Sequence, residues 1–282
     1  MSLDISFDKI AAVYDTQRAH PPAVSAAIGT ALAALAGRGA PLLELGAGTG
    51  RIAIPAADAG VAVVGVDVSP AMLGVAAERA RAAGVALDLA LADAQRLPFA
   101  DGSFAAALAV HVLHLLPDWR AALAEIVRVV RPGGLLIQGA DWRDPDSCVG
   151  LLRGRLRIAV VELQPGSRPP GAGAAVAQAL GRLGGFTGET YTAARWTRPV
   201  SPAEVLAGMA ARIDAETWAM PEELLQACVA RVRAWAEGQW ADLDAPQEVE
   251  HRFTLTVTRF TGAAGRSLEE LQDNGANSSP GA

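Results

Sequence analysis

Through the first half of the chain, short apolar runs alternate with segments whose apolar residues recur at helical spacing. Pro41-Leu42-Leu43-Glu44-Leu45 breaks into Gly46-Ala47-Gly48-Thr49-Gly50, and the run from Val61 to Val66 closes at Asp67. Leu87 to Ala92 ends at Asp93, Phe104 to Val110 ends near His111, and Leu135 to Gly139 starts a further run. Runs that stay apolar on both faces suit strands buried within a parallel sheet. Between them, Pro22 to Leu35 and Trp119 to Val130 read as helices, and a short one is expected around Phe7 to Val13. Ser69-Pro70 places a capping hydroxyl and a first-turn proline before Met72, Leu73, Ala76 and Ala80, with Gly84 as the stop. Arg131-Pro132-Gly133-Gly134 is expected to end the helix before it. Strand and helix alternating in this way predict an α/β fold with a doubly wound, mostly parallel sheet. Its ligand belongs beyond the C-terminal ends of the strands.

The rhythm changes after Trp142. Ser147–Leu163, Ala174–Leu183, Ser201–Ala211 and Pro221–Trp240 read as helices, with a loop over Pro165–Gly173. Glu189 to Trp196 reads as a strand, and alternation of Phe253, Leu255 and Val257 marks a last strand from His251 to Phe260. The chain then divides into a helical lead-in or lid (1–40), a cofactor-binding core (41–143) and linker helices with a core strand (144–200). An inserted helical cap (201–250), the last core strand (251–262) and a disordered tail rich in Gly, Ser and Asn (263–282) follow. Arg153, Arg155 and Arg157 fall at alternating positions of a helix, so they are expected to diverge into solvent.

Composition narrows the chemistry. With 24 Lys+Arg against 30 Asp+Glu the formal charge is −6, which disfavours nucleic acid as a partner. Lys9 is the one lysine, so a Schiff-base mechanism would have to use a residue near the chain end. Cys148 and Cys228 form neither a disulfide framework nor a zinc pattern, and the four histidines His20, His111, His114 and His251 have no metal-ligand spacing. The longest apolar run, Phe104 to Leu116, is interrupted by histidines and falls short of a membrane span. The N-terminus is acidic where a signal peptide would be basic. The expectation is a cytoplasmic protein with no membrane insertion.

Three signals stand at the C-terminal ends of successive strands. Glycines after the first strand allow a tight turn and close backbone approach to a ligand. The spacing is not that of a nicotinamide fingerprint, because position 51 is Arg and the third glycine comes early, at Gly50. No Gly-Lys-Ser/Thr follows, so a P-loop is excluded. Asp67 can accept hydrogen bonds from both hydroxyls of a ribose, and Asp93 from an exocyclic amine. His111 stands just past the fourth strand, where a histidine can serve as a general base, with packing as the competing role.

Glu44-x-Gly46-x-Gly48-x-Gly50, Asp67, Asp93-Ala94, Leu97-Pro98-Phe99 with Asp101-Gly102-Ser103-Phe104, and Arg131-Pro132-Gly133-Gly134 together resemble the class I S-adenosylmethionine-dependent methyltransferases. The similarity is strongest to the ubiquinone/menaquinone C-methyltransferase-like group (methyltransferase type 11), and covers Phe7 to Asp141. The resemblance implies a Rossmann-like fold with S-adenosylmethionine as cofactor and S-adenosylhomocysteine as product. Gly46, Ala47 and Gly48 would run beside the methionine part, and Glu44 would position that loop and reach the ammonium. Asp67 would hold the ribose, with Val68 and Met72 against the adenine. Asp93, with Ala94 and Gln95, would bind the adenine amine. The carbonyl region around Val110 would meet the ammonium, and Tyr14 would close over the cofactor or pack at a helix end.

The expected activity is in-line methyl transfer to a small-molecule acceptor, with His111 as the candidate base and Trp142 and Arg143 as candidate acceptor contacts. An RNA-modifying methyltransferase and a non-catalytic S-adenosylmethionine-binding protein are the alternatives.

Overall fold

The computed structural model describes residues 19–166, 176, 179, 180, 185–213, 215–218 and 220–260. Tyr14, the expected helix at 7–13, most of that at 174–183 and the tail from 263 lie outside these residues.

Helix α1 (Pro22–Ala36) leads into β1 (Pro41–Leu45), α2 (Ala53–Asp58), β2 (Ala62–Asp67), α3 (Pro70–Ala82) and β3 (Asp88–Leu91). After β4 (Phe104–Val110) come a 3-10 turn at Leu113–Leu115, α4 (Trp119–Val129), β5 (Val130–Arg143) and α5 (Cys148–Leu163). The chain continues through β6 (Gly185–Val200), α6 (Pro202–Ala210), α7 (Ala215–Trp218), α8 (Glu222–Glu237) and β7 (Gln247–Phe260). The seven strands form one sheet in the order β3-β2-β1-β4-β5-β7-β6. The pairs β1/β2, β1/β4, β2/β3 and β4/β5 are parallel. The order reverses direction at β1, which puts the switch point of the sheet at the glycine loop that follows it.

Local chemistry explains the element starts. Ser69, Ser147 and Ser201 each cap a helix through a side-chain oxygen that accepts a backbone N–H, from Met72, Gly150 and Glu204 respectively. Several elements differ from the sequence pattern: β6 spans Gly185–Val200 where 189–196 is expected, and β7 starts at Gln247 and not at His251, because pairing within the sheet extends both strands. Helix α2 has six residues and carries Pro55, too short to show an apolar period. Strand β5 starts at Val130 instead of Leu135, because Arg131–Gly134 form an irregularity inside it: Phe104 pairs with Val130 and Ala106 with Leu135.

The fold divides into two compact units. One takes in, of the described residues, 19–140, 176, 179–180, 185–191 and 255–260; Leu43, Leu45, Val66, Ala107, Leu123, Ile126 and Leu136 lie in its buried core. In this unit Arg128, on α4, holds the loop after Asp93. Its guanidinium donates to the carbonyls of Leu97 and Phe99 and pairs with Asp101 and Glu125, while Glu125 accepts the Leu97 N–H.

The other unit takes in, of the described residues, 141–166, 192–213, 215–218 and 220–254, so its boundary falls just before Trp142. Leu152, Leu156, Leu206, Met209, Cys228 and Val232 form its helical core. Here the arginines of α5 correct the sequence expectation. Arg153 and Arg157 are one helical turn apart and share a face, where both pair with Glu216 of α7, at 2.7 and 2.6 Å. Arg155 instead pairs with Glu162, 3.5 Å away. The His251 ring stacks on Trp196 at 5.3 Å and 15°, with its Nε2 buried and without a partner. Burial, with Arg143 and Arg198 nearby, pushes the His251 pKa down to about 4 against an opposing pull from Asp141.

Arg128→Ala is expected to destabilise the protein by about 2 kcal/mol at pH 7, since it leaves Glu125 and two carbonyls without their charged partner. Arg128 lowers the Glu125 pKa, so this contribution is present above the ordinary carboxylate value and lost as pH falls below it. Denaturant unfolding of both proteins at pH 7 and pH 3 checks whether the gap closes in acid. His251 has the same sign. Its neutral form is favoured in the native state, so stability present above about pH 6.5 drains away towards about pH 4. Thermal melts should show His251→Phe losing roughly 3 kcal/mol less than the parent over that window.

Candidate functional site

Glu44 is the penultimate residue of β1, flanked by Gly65 of β2 and Leu108 of β4. It is 2% exposed. One carboxyl oxygen takes the Ala53 backbone N–H, and the other, Oε2, is buried with no partner. Burial raises the Glu44 pKa to about 8; Arg51 pulls it down and Asp67 pushes it up. A carboxyl this deep keeps its proton near neutrality because the charged form has lost its water.

The loop that follows has glycine where only glycine fits. Gly46 has φ +63°, and a Cβ there would lie 2.7 Å from Val112 Cγ2. Gly48 has φ +54°, and its missing Cβ would meet nothing closer than the Gly46 carbonyl oxygen at 4.0 Å, so this backbone borders open space. Ala47, 5% exposed, donates its N–H to the Val66 carbonyl. From α3, Arg79 donates to the carbonyl and the hydroxyl of Thr49. Arg51 Nη1 lies 2.8 Å from His20 Nε2, which therefore accepts.

Asp67, at the end of β2, accepts the Gly48 N–H on Oδ2 (2.8 Å) and the Ser69 N–H on Oδ1 (2.9 Å). Each oxygen keeps a lone pair for a further donor. Val68 and Leu91, beside it at the ends of β2 and β3, are 63% and 62% exposed. Leu91 was not singled out from the sequence, where it reads as one more strand residue; only its place on the edge strand exposes it. Met72 is 2% exposed and Ala94 6%, so both side chains belong to the core.

Asp93 is exposed after β3. It accepts the backbone and side-chain N–H groups of Gln95, and the Gln95 amide oxygen accepts the N–H of Asp118, which caps α4. Gln95 thus orients Asp93. Val110 closes β4 opposite Gly139, and His111 follows with φ +52°, an uncommon conformation for a side chain of that size. His114 is exposed on the 3-10 turn.

Glu44, Gly46, Ala47, Gly48, Asp67, Val68, Asp93, Val110 and His111 therefore stand at or just past the C-terminal ends of β1 to β4, in one unit. Trp142 and Arg143 lie in the other unit, where the Arg252 guanidinium sits 4.1 Å over the Trp142 ring. Trp235 packs edge-on to Trp240, and Trp218 donates to the Arg212 carbonyl. This set of acceptors fits S-adenosylmethionine. Acidic groups at three strand ends suit ligand hydroxyls and amines, one buried Glu44 oxygen has no partner, and a side chain at Gly48 would meet open space. Among the described residues no group of three or more His, Cys, Asp and Glu could hold a metal ion.

Glu44→Gln tests the buried carboxyl. Its native pKa is raised, so the stability it gives is complete below about pH 4.5 and lost as pH rises through about 8. The variant should match the parent near pH 5 and exceed it by roughly 4 kcal/mol at pH 8 to 9, as read by denaturant unfolding.

Residues 43–138 match the family described as "Methyltransferase domain". An uncharacterized protein of Mycobacterium tuberculosis is 40% identical over 115 residues, covering 40% of this chain and 42% of that protein. The demethylmenaquinone methyltransferase of Thermus thermophilus is 39% identical over 113 residues, covering 39% of this chain and 51% of that enzyme. The matched region thus spans about half the length of these relatives, or less. Among solved structures, the YcgJ protein of Bacillus subtilis superposes with a TM-score of 0.55 at 18% identity, covering 83% of this chain and 98% of that one. A putative methyltransferase of Bacillus halodurans gives 0.53 at 16% identity, with the same coverage of both chains. At such identities these structures speak for the fold. Together with the glycine loop and the acidic strand ends, the sequence matches place this chain's 43–138 region among the class I S-adenosylmethionine-dependent methyltransferase domains of the menaquinone-methyltransferase-like type.

Proposed function

We propose that this protein is an enzyme that methylates a small-molecule acceptor by in-line transfer. The observation that carries the reading is the arrangement of Glu44, Asp67 and Asp93 around a glycine loop at the switch point of the sheet. When bound, S-adenosylmethionine supplies a methyl group already activated by its sulfonium. The chain's own work is then binding, alignment and exclusion of water. Asp67 would receive the ribose hydroxyls on its remaining lone pairs, while its bonds to Gly48 and Ser69 keep it fixed. Asp93, oriented by Gln95, would accept the adenine amine. Val68 and Leu91 would lie against the base, and the backbone of Gly46, Ala47 and Gly48 along the methionine part.

His111 is the candidate general base for an acceptor hydroxyl or amine. Its strained backbone at the end of β4 is the kind of outlier that accompanies a functional side chain. Trp142 and Arg143 are the candidate acceptor contacts. The name of the Thermus relative supports a quinone precursor or similar phenolic compound as acceptor. The net charge of −6 supports a small molecule over RNA. Among the described residues no helix is long and apolar enough to cross a membrane, and we read the protein as cytoplasmic.

S-adenosylmethionine and S-adenosylhomocysteine at about 100 times Kd should each add about 2.7 kcal/mol of stability, several degrees in Tm, with none from NAD. No shift with either sulfur compound, in a folded and ligand-free preparation, would remove the reading. Asp67→Ala is expected to weaken S-adenosylhomocysteine binding about 10- to 100-fold in titration calorimetry. Once an acceptor is found by screening, His111→Ala should lower kcat about 100-fold or more while leaving cofactor affinity within about twofold. A parallel loss of affinity would make His111 a structural residue. Salt-sensitive RNA binding with RNA methylation would point to the nucleic-acid alternative.

A further inference from the structure

Glu44 is a carboxyl with more burial than support. Flanking strands offer it only Gly65 and Leu108, α2 offers one backbone N–H, and Oε2 has no partner. The charged groups that act on it are Arg51 and Asp67, with opposite effects. Arg51 is itself engaged by His20, and Arg79 is bonded to Thr49. Without a ligand the carboxyl therefore stays protonated near neutral pH, with a pKa of about 8.

The two forms of the cofactor differ by one charge. Both carry an amino-acid ammonium and carboxylate, but the methyl donor has a sulfonium and its product a neutral thioether. Glu44 lies just before Gly46, on the order of 7 Å away at the rise of an extended chain. Through a dry interior, a cation along that loop acts strongly on a carboxyl so placed.

Building on the cofactor reading above, we propose that Glu44 is a specificity residue that discriminates S-adenosylmethionine from S-adenosylhomocysteine by ionising for the sulfonium and keeping its proton with the thioether. Binding then balances as protein carboxyl plus cationic donor giving carboxylate–donor complex plus one released proton. The product complex keeps the neutral carboxyl. Loss of the sulfonium charge would therefore weaken the hold on the product and favour its exchange for fresh donor.

Linkage sets the size of the effect. A ligand that selects the ionised fraction gains up to about tenfold in affinity per pH unit below the carboxyl's free-state pKa, and nothing above it. The sulfonium makes the donor's own α-amino group more acidic than the product's, so that group adds its own pH dependence to the ratio of the two dissociation constants, and the variant without the carboxyl supplies the reference slope.

The test is titration calorimetry of the full chain with each compound at about pH 6, 7, 8 and 9, repeated in two buffers of different ionisation enthalpy. Kd of the product divided by Kd of the donor should rise several-fold to tenfold per unit between about pH 6 and 8, then level off. The donor should release most of a proton near pH 7 and the product little. Glu44→Gln should lose the rise between about pH 6 and 8 and keep only the pH dependence of the ligands' own amines. A flat ratio in the parent, equal proton release by both compounds, or the same slope in the variant overturns the proposal while leaving cofactor binding intact. Failure of either compound to bind the parent removes the cofactor reading, and this proposal with it. If the variant does not fold, proton release by the parent decides.

Discussion

The Asp67 carboxylate is the fastening on which the site depends. By taking the Gly48 N–H on one oxygen and the Ser69 N–H on the other, it joins the glycine loop after β1 to the end of β2 and the start of α3. Both donors lie beyond the strand ladder, at the C-terminal end of the sheet, where the carboxylate accepts them. The arrangement also orients the carboxylate for a ligand. Arg79, reaching from α3 to Thr49, adds a second tie to the same loop. A loop of positive-φ glycines is costly to order, and these contacts keep it in one shape before any ligand arrives.

The same logic extends along the sheet to β3 and β4. Asp93 is oriented by Gln95, which is tied to the cap of α4, and α4 carries the Glu125–Arg128 pair that holds the loop after Asp93. Each of these two strand-end carboxylates is thus supported by a second residue from a neighbouring element. Glu44 is the exception. Its burial is supported by one backbone N–H and leaves an oxygen unsatisfied, which is a stability cost at a position where the fold could have used an apolar residue. Such a cost is the kind found at functional positions.

Much of this was legible in the chain before folding. Apolar runs ending in glycine or aspartate marked the strands, and Ser69, Ser147 and Ser201 marked helix starts, because strand burial and capping are local or periodic properties. Other features had no local signal. Helix α2 is too short to show a period, and the start of β5 depends on how residues 131–134 bulge against β4. Arg153 and Arg157 looked divergent as part of an alternating triplet, yet helical geometry brings these two onto Glu216 from a distant segment.

The sequence by itself determined the alternating α/β plan, the glycine loop and which carboxylates stand at the strand ends, since each follows from spacing and residue type. Tertiary structure alone decided which of those groups are buried, paired or exposed. It withdrew Met72 and Ala94 into the core, exposed Leu91 on an edge strand, and fastened Gln95 to Asp93. It also left Glu44 dry beside Arg51 and Asp67. The reason is physical. Solvation and partner distance set the charge and reach of a side chain, and both are fixed by residues far away in the chain.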